Sequence, residues 1–397
     1  MVKSARLVAI LAIAAAFISV AKFQPCRANN FVSPGNYIQM CYSDLPALYG
    51  AREINIDRWP YASAENSVEY PVITGLVMWA TGKAINDPAG YKQYFDLNLV
   101  LLAFLFIAVA LLLWRIRPEY AHLLALSPAV VGSLYINWDL WAVLPALAAV
   151  ALFKAGKNIL SAIALGVAIA TKFFPIVLLL GVLLLFFASR RYRELASYFL
   201  ITGLTWFVIN MPVALNNFSG WSRFYRMNFE RENDLGSIWL ALQYLGLPSD
   251  GGIFITLILL SIGTLLIANF HYNSKNRIEP FQSFALTGFF AVALFVTVSK
   301  VYSPQYVLWL TPLALIAMST KEQRSAFWIW QGGEALYHLA IWQYLATYTG
   351  AKFGLPEDFY ALAILVRVAT LAYFVTVLAR TSLKLGTYPQ LSPSISR

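Results

Sequence analysis

Apolar runs close to the length needed to cross a lipid bilayer recur from one end of the chain to the other. A segment inside the bilayer must satisfy its own backbone hydrogen bonds, so each run is expected to form a helix. The pattern predicts about twelve spans, near residues 5–22, 97–114, 119–135, 138–154, 157–171, 173–189, 195–213, 252–270, 281–299, 304–319, 325–345 and 358–380.

Composition agrees with this pattern, since 59% of the 397 residues are hydrophobic and only 12% are charged. That balance lies outside the range of soluble globular domains and leaves no separate soluble catalytic domain. We therefore expect a single integral membrane domain over residues 1–397, all-α and polytopic. The first run follows Lys3 and Arg6, as a secretory signal also does, but the Ala-Lys-Phe sequence at 21–23 interrupts the small-residue cleavage pattern and favours an uncleaved helix.

The formal net charge of +10 does not indicate nucleic-acid binding, because the basic residues are scattered through short loops instead of forming a tract. Basic loops mark the cytoplasmic side of a membrane protein. They predict that both termini lie inside, with a tail over 381–397, and that long loops at 23–96 and 214–250 face the other side. The basic loops carry Arg115 and Arg117, Lys154 and Lys157, Arg190, Arg191 and Arg193, Lys275 and Arg277, and Lys321 and Arg324.

The first outer loop is expected to hold function, since a protein built only to span the membrane needs no loop of this length. Within it, residues 44–53 and 70–81 have apolar positions at helical spacing and predict two interfacial helices on the membrane surface. Cys26 and Cys41 lie in the same loop. A disulfide between them and two free thiols both remain open at this point.

Carboxylates and cations are the candidate chemistry, because the three histidines and two cysteines form no metal-binding or nucleophile motif. A cation stabilises the charge that develops on a departing phosphate, and one carboxylate within reach of an incoming hydroxyl can act as general base. Aromatic faces such as those of Tyr42, Tyr49 and Trp138 can bracket a sugar, although anchoring at the membrane interface explains each of them as well. The charged candidates near the outer face are Asp44, Glu69, Asp139, Lys172, Lys300, Arg223, Arg226 and Arg231.

Five short motifs resemble the polyprenol-phosphate-mannose-dependent mannosyltransferases of bacterial membranes, which form glycosyltransferase family 87 with the GT-C fold. Their order along the chain and their placement on the outer face carry the resemblance. The motifs are Tyr42-Ser43-Asp44-Leu45, Glu69-Tyr70-Pro71, Asn137-Trp138-Asp139-Leu140, Lys172-Phe173-Phe174-Pro175 and Tyr302-Ser303-Pro304-Gln305-Tyr306.

The resemblance implies a helical bundle of the GT-C type in a bacterial plasma membrane, with its site outside the cytoplasm. It implies transfer from a polyprenyl-phosphate sugar to a lipid or glycan acceptor, with Asp44 as the essential carboxylate and no metal or other cofactor. The residues expected to contact substrate are Lys172, Lys300, Arg231, Arg226, Asp139, Glu69, Tyr49, Tyr70, Trp138, Tyr302 and Gln305.

Other interpretations of the same residues are open. Asp44 and Asp139 each stand just before a predicted helix, where a carboxylate can cap the N-terminus without any chemistry. Glu334 and His338 share one face of a predicted span, and with Arg367 they suit a secondary transporter or lipid flippase. We expect instead a structural Glu334–Arg367 pair between helices. The lack of a visible internal repeat weakens the transporter interpretation, and a non-catalytic scaffold for envelope assembly is a third one.

Overall fold

The computed structural model describes residues 4–249 and 253–386, and every regular element within these ranges is helical. Short 3-10 helices cover Ile54–Ile56, Phe174–Leu178 and Pro304–Tyr306. The α-helices are α1 (Ala5–Ala28), α2 (Gly35–Ile38), α3 (Asp44–Ala51), α4 (Val72–Ile85), α5 (Tyr91–Ile116), α6 (His122–Leu126), α7 (Pro128–Ser133), α8 (Leu140–Lys154), α9 (Asn158–Thr171), α10 (Leu179–Ala188), α11 (Tyr192–Asn216), α12 (Phe218–Glu230), α13 (Ile238–Tyr244), α14 (Ile253–Ser274), α15 (Pro280–Val298), α16 (Val307–Ala317), α17 (Lys321–Tyr348) and α18 (Glu357–Ser382).

Six helices in the described part of the chain are long and apolar enough to cross a membrane: α1, α5, α11, α14, α15 and α18. Shorter apolar helices accompany them, formed by α4, α8, α9, the 174–188 segment and the 304–317 segment. Helix α15 is surrounded by protein, whereas α11 and α14 leave most of their apolar side chains exposed, as lipid-facing helices do. The protein is therefore an all-helical, multi-pass membrane protein, as its sequence predicts.

The predicted span at 119–135 is wrong as a single helix. Its residues form α6 and α7, which are separated at Ser127, where the backbone is extended. Pro128 explains the break, because a proline disfavours the helical conformation of the residue before it and has no N–H to continue the ladder. Each of the other predicted spans coincides with one helix, or with a 3-10 turn that runs directly into a helix. The total of twelve spans remains a prediction.

Several of the basic loops meet at one end of the bundle, which we call the basic end. Arg117 donates to the carbonyl oxygen of Met318 (2.9 Å), and Lys154 donates to that of Ile116 (2.8 Å). Arg277 donates to the carbonyl oxygen of Leu385 (2.8 Å). These contacts join loops far apart in the sequence, and they place the positive charges where the ends of the helices need counter-groups. The predicted tail beyond residue 386 and the loop residues 250–252 lie outside the described ranges.

The opposite end of the bundle, which we call the site end, is organised by the first outer loop. Helices α3 and α4 form where interfacial helices are predicted, and Cys26 at the end of α1 is joined to Cys41 by a disulfide. The Thr74 hydroxyl donates to the backbone carbonyl oxygen of Thr171 (2.6 Å), which fixes α4 against the end of α9. The first outer loop is therefore attached to the bundle near Cys41 and again at Thr74.

The expected Glu334–Arg367 pair is present and fully enclosed. Arg367 Nε donates to Glu334 Oε2 (2.9 Å), while its Nη2 donates to the carbonyl oxygen of Ser303 (3.0 Å). The same carboxylate accepts from the hydroxyl of Tyr302 (2.7 Å) and from the indole N–H of Trp330 (3.1 Å). Because hydrogen bonds surround both charges inside the bundle, the pair acts as an internal tie between α17 and α18.

Candidate active site

Asp44 is fixed by the way α3 begins. Ser43 caps the helix, since its side chain accepts from the backbone N–H of Leu45, so the capping interpretation of Asp44 is wrong. The Ser43 hydroxyl also donates to the carbonyl oxygen of Tyr135 (2.7 Å), and the Asp44 N–H donates to that of Ile136 (2.8 Å). The carboxylate therefore sits on a helix start that is pinned to the segment before α8.

The carboxylate of Asp44 accepts two hydrogen bonds. Oδ1 accepts from the hydroxyl of Tyr42 (2.9 Å), and Oδ2 accepts from Nδ2 of Asn137 (2.6 Å). Burial raises the pKa of Asp44 above its usual range, while the hydrogen bonds from Asn137 and Tyr42 and the charge of Lys172 oppose that rise. A carboxylate with a raised pKa is a stronger base than an exposed one, and here it is held in one orientation.

Asn137 connects Asp44 to Lys172. Its Oδ1 accepts from Nζ of Lys172 (3.0 Å), and its Nδ2 also donates to the hydroxyl of Tyr70 (2.7 Å). The side chain is nearly enclosed, with 2% exposed, so water does not compete for these bonds. Two side chains of opposite charge, from α3 and from the end of α9, are thus brought to one amide.

Lys172 directly follows the last residue of α9. Its backbone is extended, and a 3-10 helix begins two residues later at Phe174. Its Nζ is 3.2 Å from Oδ1 of Asp139 and 4.6 Å from the centre of the Tyr70 ring. A largely buried ammonium group is costly without such partners, and the carboxylate and the ring offset that cost. Lys172 is therefore held in place beside Asn137, the hydrogen-bond partner of Asp44.

Asp139 is completely buried and does not cap α8, because its side chain makes no bond to the first turn of that helix. Besides the contact with Lys172, Oδ1 accepts from the indole N–H of Trp309 (2.6 Å). Its Oδ2 is buried without a hydrogen-bond partner. Asp139 thus holds Lys172 in position through this contact. The alternative interpretation of Asp139 as a helix cap is wrong.

A second basic group, formed by Arg231 and Lys300, approaches from the loop after α12. Lys300 Nζ donates to the carbonyl oxygen of Arg231 (2.7 Å), and Arg231 pairs with Asp234 (Nε to Oδ2, 3.2 Å). Tyr306 lies within electrostatic reach of both Arg231 and Asp139. Its ring stacks on Trp309, the partner of Asp139, with 3.7 Å between ring centres. The second group therefore borders the same cluster through one pair of aromatic rings.

The remaining predicted contact residues are used elsewhere. Glu69 forms an ion pair with Arg52. Tyr49 is buried against Tyr94, and Arg226 bonds the backbone of its own helix from an exposed position. Three others are also buried: Trp138 donates to Asn98, Tyr302 donates to Glu334, and Gln305 has a side-chain oxygen without a partner.

Sequence reasoning did not single out Asn137 and Trp309 as site residues, and it considered Tyr42 only as an aromatic face that can bracket a sugar. Asn137 and Tyr42 lie within the motifs that carry the family resemblance, two residues before Asp139 and two before Asp44. A polar residue next to a predicted catalytic carboxylate is the signal that could have found them. Trp309 lies inside a predicted apolar span, where an indole ring is ordinarily read as packing, so the sequence carried no signal for it.

Two cavities are lined by residues of the first outer loop, and the smaller one adjoins the cluster of Asp44, Asn137, Lys172 and Asp139 through Tyr42 and Ser43. An open groove of about 580 Å³ runs between α4 and α11, with Trp59, Leu76 and Ile209 among its mainly apolar lining residues. A smaller cavity of about 230 Å³ lies between α3 and the disulfide-closed loop. No group of three or more potential metal ligands occurs among residues 4–249 and 253–386; the expectation that no metal is needed stays a prediction.

The helices and this cluster define a membrane protein with paired acidic and cationic groups at one end of its bundle. The chain belongs to glycosyltransferase family 87, whose model matches residues 70–297, more than half of its length. It is thus a membrane glycosyltransferase. The matched range includes Asn137, Asp139 and Lys172, whereas Asp44 precedes it.

Among solved structures, the chain is similar to ArnT from Cupriavidus metallidurans, which was crystallised bound to undecaprenyl phosphate. The two share 14% sequence identity with a TM-score of 0.47, and the match covers 94% of this chain and 77% of that one. No curated protein matches the chain.

Proposed function

We propose that this glycosyltransferase moves a mannosyl or related glycosyl residue from a polyprenyl-phosphate donor to a lipid or glycan acceptor outside the cytoplasm. The reaction is a single inverting displacement. The acceptor oxygen forms a bond to the anomeric carbon as the bond from that carbon to the phosphate oxygen breaks. Asp44 takes the acceptor proton, and polyprenyl phosphate leaves with the electron pair, so no further reactant is required.

The observation that carries this proposal is the meeting of Asp44 and Lys172 on the single side chain of Asn137. A phosphate ester needs no general acid to leave, but the charge that develops on it must be stabilised. An incoming hydroxyl needs a base. The cluster offers both groups, joined by one amide side chain that is nearly enclosed.

The base role of Asp44 follows from its surroundings. Its raised pKa, due first to burial, makes the ionised form a better proton acceptor than an exposed aspartate. The Tyr42 and Asn137 donors occupy one direction at each oxygen, and a carboxylate oxygen can accept more than one hydrogen bond. An acceptor hydroxyl can therefore donate to Asp44 without displacing either of them.

The phosphate role falls to Lys172 first. Asp139 and the ring of Tyr70 position its amino group before substrate binds, so an arriving phosphate meets a preformed basic group. Lys300 and Arg231 border the same region and supply a second positive group, whereas exposed Arg226 is the weakest of the predicted phosphate ligands.

The lipid part of the donor fits the open groove between α4 and α11. Its lining is mainly apolar, and the lipid-facing side chains of α11 continue from it, with Val208 and Leu215 more than half exposed. A prenyl chain in this groove gains the transfer free energy of apolar surface without leaving the bilayer. The positive-inside rule puts the basic end in the cytoplasm, so the site end faces outwards.

Replacement of Asp44 tests the proposal. The purified protein is incubated with labelled polyprenyl-phosphate sugars and a membrane lipid extract, and the product is identified by mass. Asp44→Asn is expected to reduce transfer by about 10²- to 10⁴-fold, the usual contribution of a general base. Asp57→Asn is the matched control, because Asp57 is half exposed in the same loop and its left-handed backbone suits asparagine equally well.

Two results would count against the proposal. Transfer by Asp44→Asn at the level of the Asp57→Asn control would remove Asp44 from the base role. A wild-type protein that moves polyprenyl-phosphate sugars across vesicles without forming any product would favour the transporter interpretation.

A further inference from the structure

The smaller cavity is built by the loop that the Cys26–Cys41 disulfide closes. It is polar for its size, about 230 Å³, and it lies between this loop, α3 and the start of α5. At roughly 30 Å³ for each water molecule, the volume corresponds to about eight waters. The residues that matter for its chemistry are Asn30, Asn36, Tyr42, Ser43, Ala47 and Tyr91.

Asn36 lines the cavity and carries a hydrogen-bond acceptor that is unused. The residue is only 4% exposed, yet its Oδ1 has no hydrogen-bond partner. Its backbone is fixed, because its carbonyl oxygen accepts from the N–H of Cys41 (3.0 Å). A buried acceptor without a donor costs free energy, and a ligand that donates to it recovers that cost.

The cavity adjoins the base. Tyr42 lines it and donates to Asp44 from the same side chain, and Ser43, the residue before Asp44, lines it too. The apolar groove shares no lining residue with it, since the groove is formed by α4, α11 and Trp59. Asp44 thus lies beside a small polar space that is separate from the lipid-lined one.

We propose that this cavity binds the hydroxyl-bearing head group of the acceptor, a sugar or another cyclic polyol. The assignment of this ligand as acceptor rests on the proposed function. A space of this size with an acceptor oxygen and two tyrosines suits a ring that donates O–H groups to Asn36 and packs on aromatic faces. It does not suit a prenyl chain, which finds apolar surface in the groove. A hydroxyl on the bound ring would then point past Tyr42 toward Asp44.

Binding of soluble probes tests the site without requiring transfer. Saturation-transfer NMR with myo-inositol, methyl α-mannopyranoside and methyl α-glucopyranoside is expected to detect at least one of them on the wild-type protein. Ala47→Leu adds three heavy atoms to the cavity and is expected to weaken that binding at least tenfold. Ala84→Leu is the matched control, because Ala84 is exposed on α4 in the same outer loop.

A second variant keeps the test sound if the filled cavity disturbs the fold. Asn36→Leu removes the unpaired oxygen without breaking any bond to that oxygen, and we expect binding to weaken roughly two- to tenfold, the range of one neutral hydrogen bond. Thermal unfolding of each variant reports whether it is folded.

The outcomes separate this proposal from the one it rests on. If no probe binds the wild type, or if Ala47→Leu and Asn36→Leu bind as Ala84→Leu does, the cavity is not the polyol site. Probe binding that the two variants lose, in a protein that transfers no sugar to any acceptor, overturns the proposed function and the acceptor role. We expect Ala47→Leu and Asn36→Leu to lose probe binding, to have a raised KM for the acceptor and to keep the wild-type KM for the donor.

Discussion

Asn137 gives the most direct test of how the cluster works, because it touches both charged partners and carries no charge itself. Asn137→Leu keeps the approximate size of the side chain but removes its hydrogen bonds to Asp44 (2.6 Å) and Lys172 (3.0 Å). A hydrogen bond to a charged group contributes about 1.5–3 kcal/mol. Loss of two corresponds to roughly 3–6 kcal/mol, or about 10²- to 10⁴-fold in kcat/KM.

The pH profile separates a positioning role from a merely structural one. The Asn137 hydrogen bond lowers the pKa of Asp44, so its removal raises that pKa further. Asp44 acts as base only when ionised, and activity falls as the pH drops through its pKa. The acidic limb of kcat/KM is therefore expected to move to higher pH, by about one to two units if the bond contributes 1.5–3 kcal/mol.

Asn55→Leu is the matched control, because Asn55 lies in the first outer loop, is only partly buried, and has a side chain that makes one bond, to the carbonyl oxygen of Pro88. Its kcat/KM and acidic limb should equal those of the wild type. The reasoning is refuted if Asn137→Leu retains kcat/KM within about threefold of that control, or if its acidic limb stays in place while the protein remains folded.

Three further substitutions test contacts that stabilise the protein: the Lys172–Asp139 ion pair, the disulfide and the Arg367–Glu334 ion pair. Lys172→Met should raise the donor KM at least tenfold and lower the free energy of unfolding by about 3–5 kcal/mol, since Asp139 is left buried without its cation; addition of Asp139→Asn should recover part of the stability but not the KM. Cys26→Ser removes the disulfide, whose two cysteines are 15 residues apart, and should lower the free energy of unfolding by about 3 kcal/mol in chemical denaturation. A denaturation midpoint equal to that of the wild type under oxidising conditions would contradict this expectation. Arg367→Met should destabilise the protein by about 3–5 kcal/mol, because Glu334 loses its buried partner, and Glu334→Leu added to it should restore stability in a thermal melt.

Some of this protein follows from its sequence alone. Apolar runs of bilayer length determine that it is a helical, multi-pass membrane protein, because no other backbone structure satisfies its hydrogen bonds in so many separate segments. Short motifs in a fixed order indicated glycosyltransferase family 87, and the family model matches more than half of the chain. The Glu334–Arg367 tie was also predictable, since a charge deep in a span needs a partner of opposite charge nearby.

Other features were decided only by the tertiary structure. Asp44, Asn137 and Lys172 come from three segments far apart in the sequence, and only the tertiary structure brings the start of α3, the segment before α8 and the end of α9 to one amide. Glu69 and Lys172 are both charged site candidates in the sequence. In the structure Glu69 is paired with Arg52, whereas Lys172 donates to Asn137, the hydrogen-bond partner of Asp44. Periodicity fixes which residues lie in a helix, but the distance between two helix ends depends on how every helix in the bundle packs.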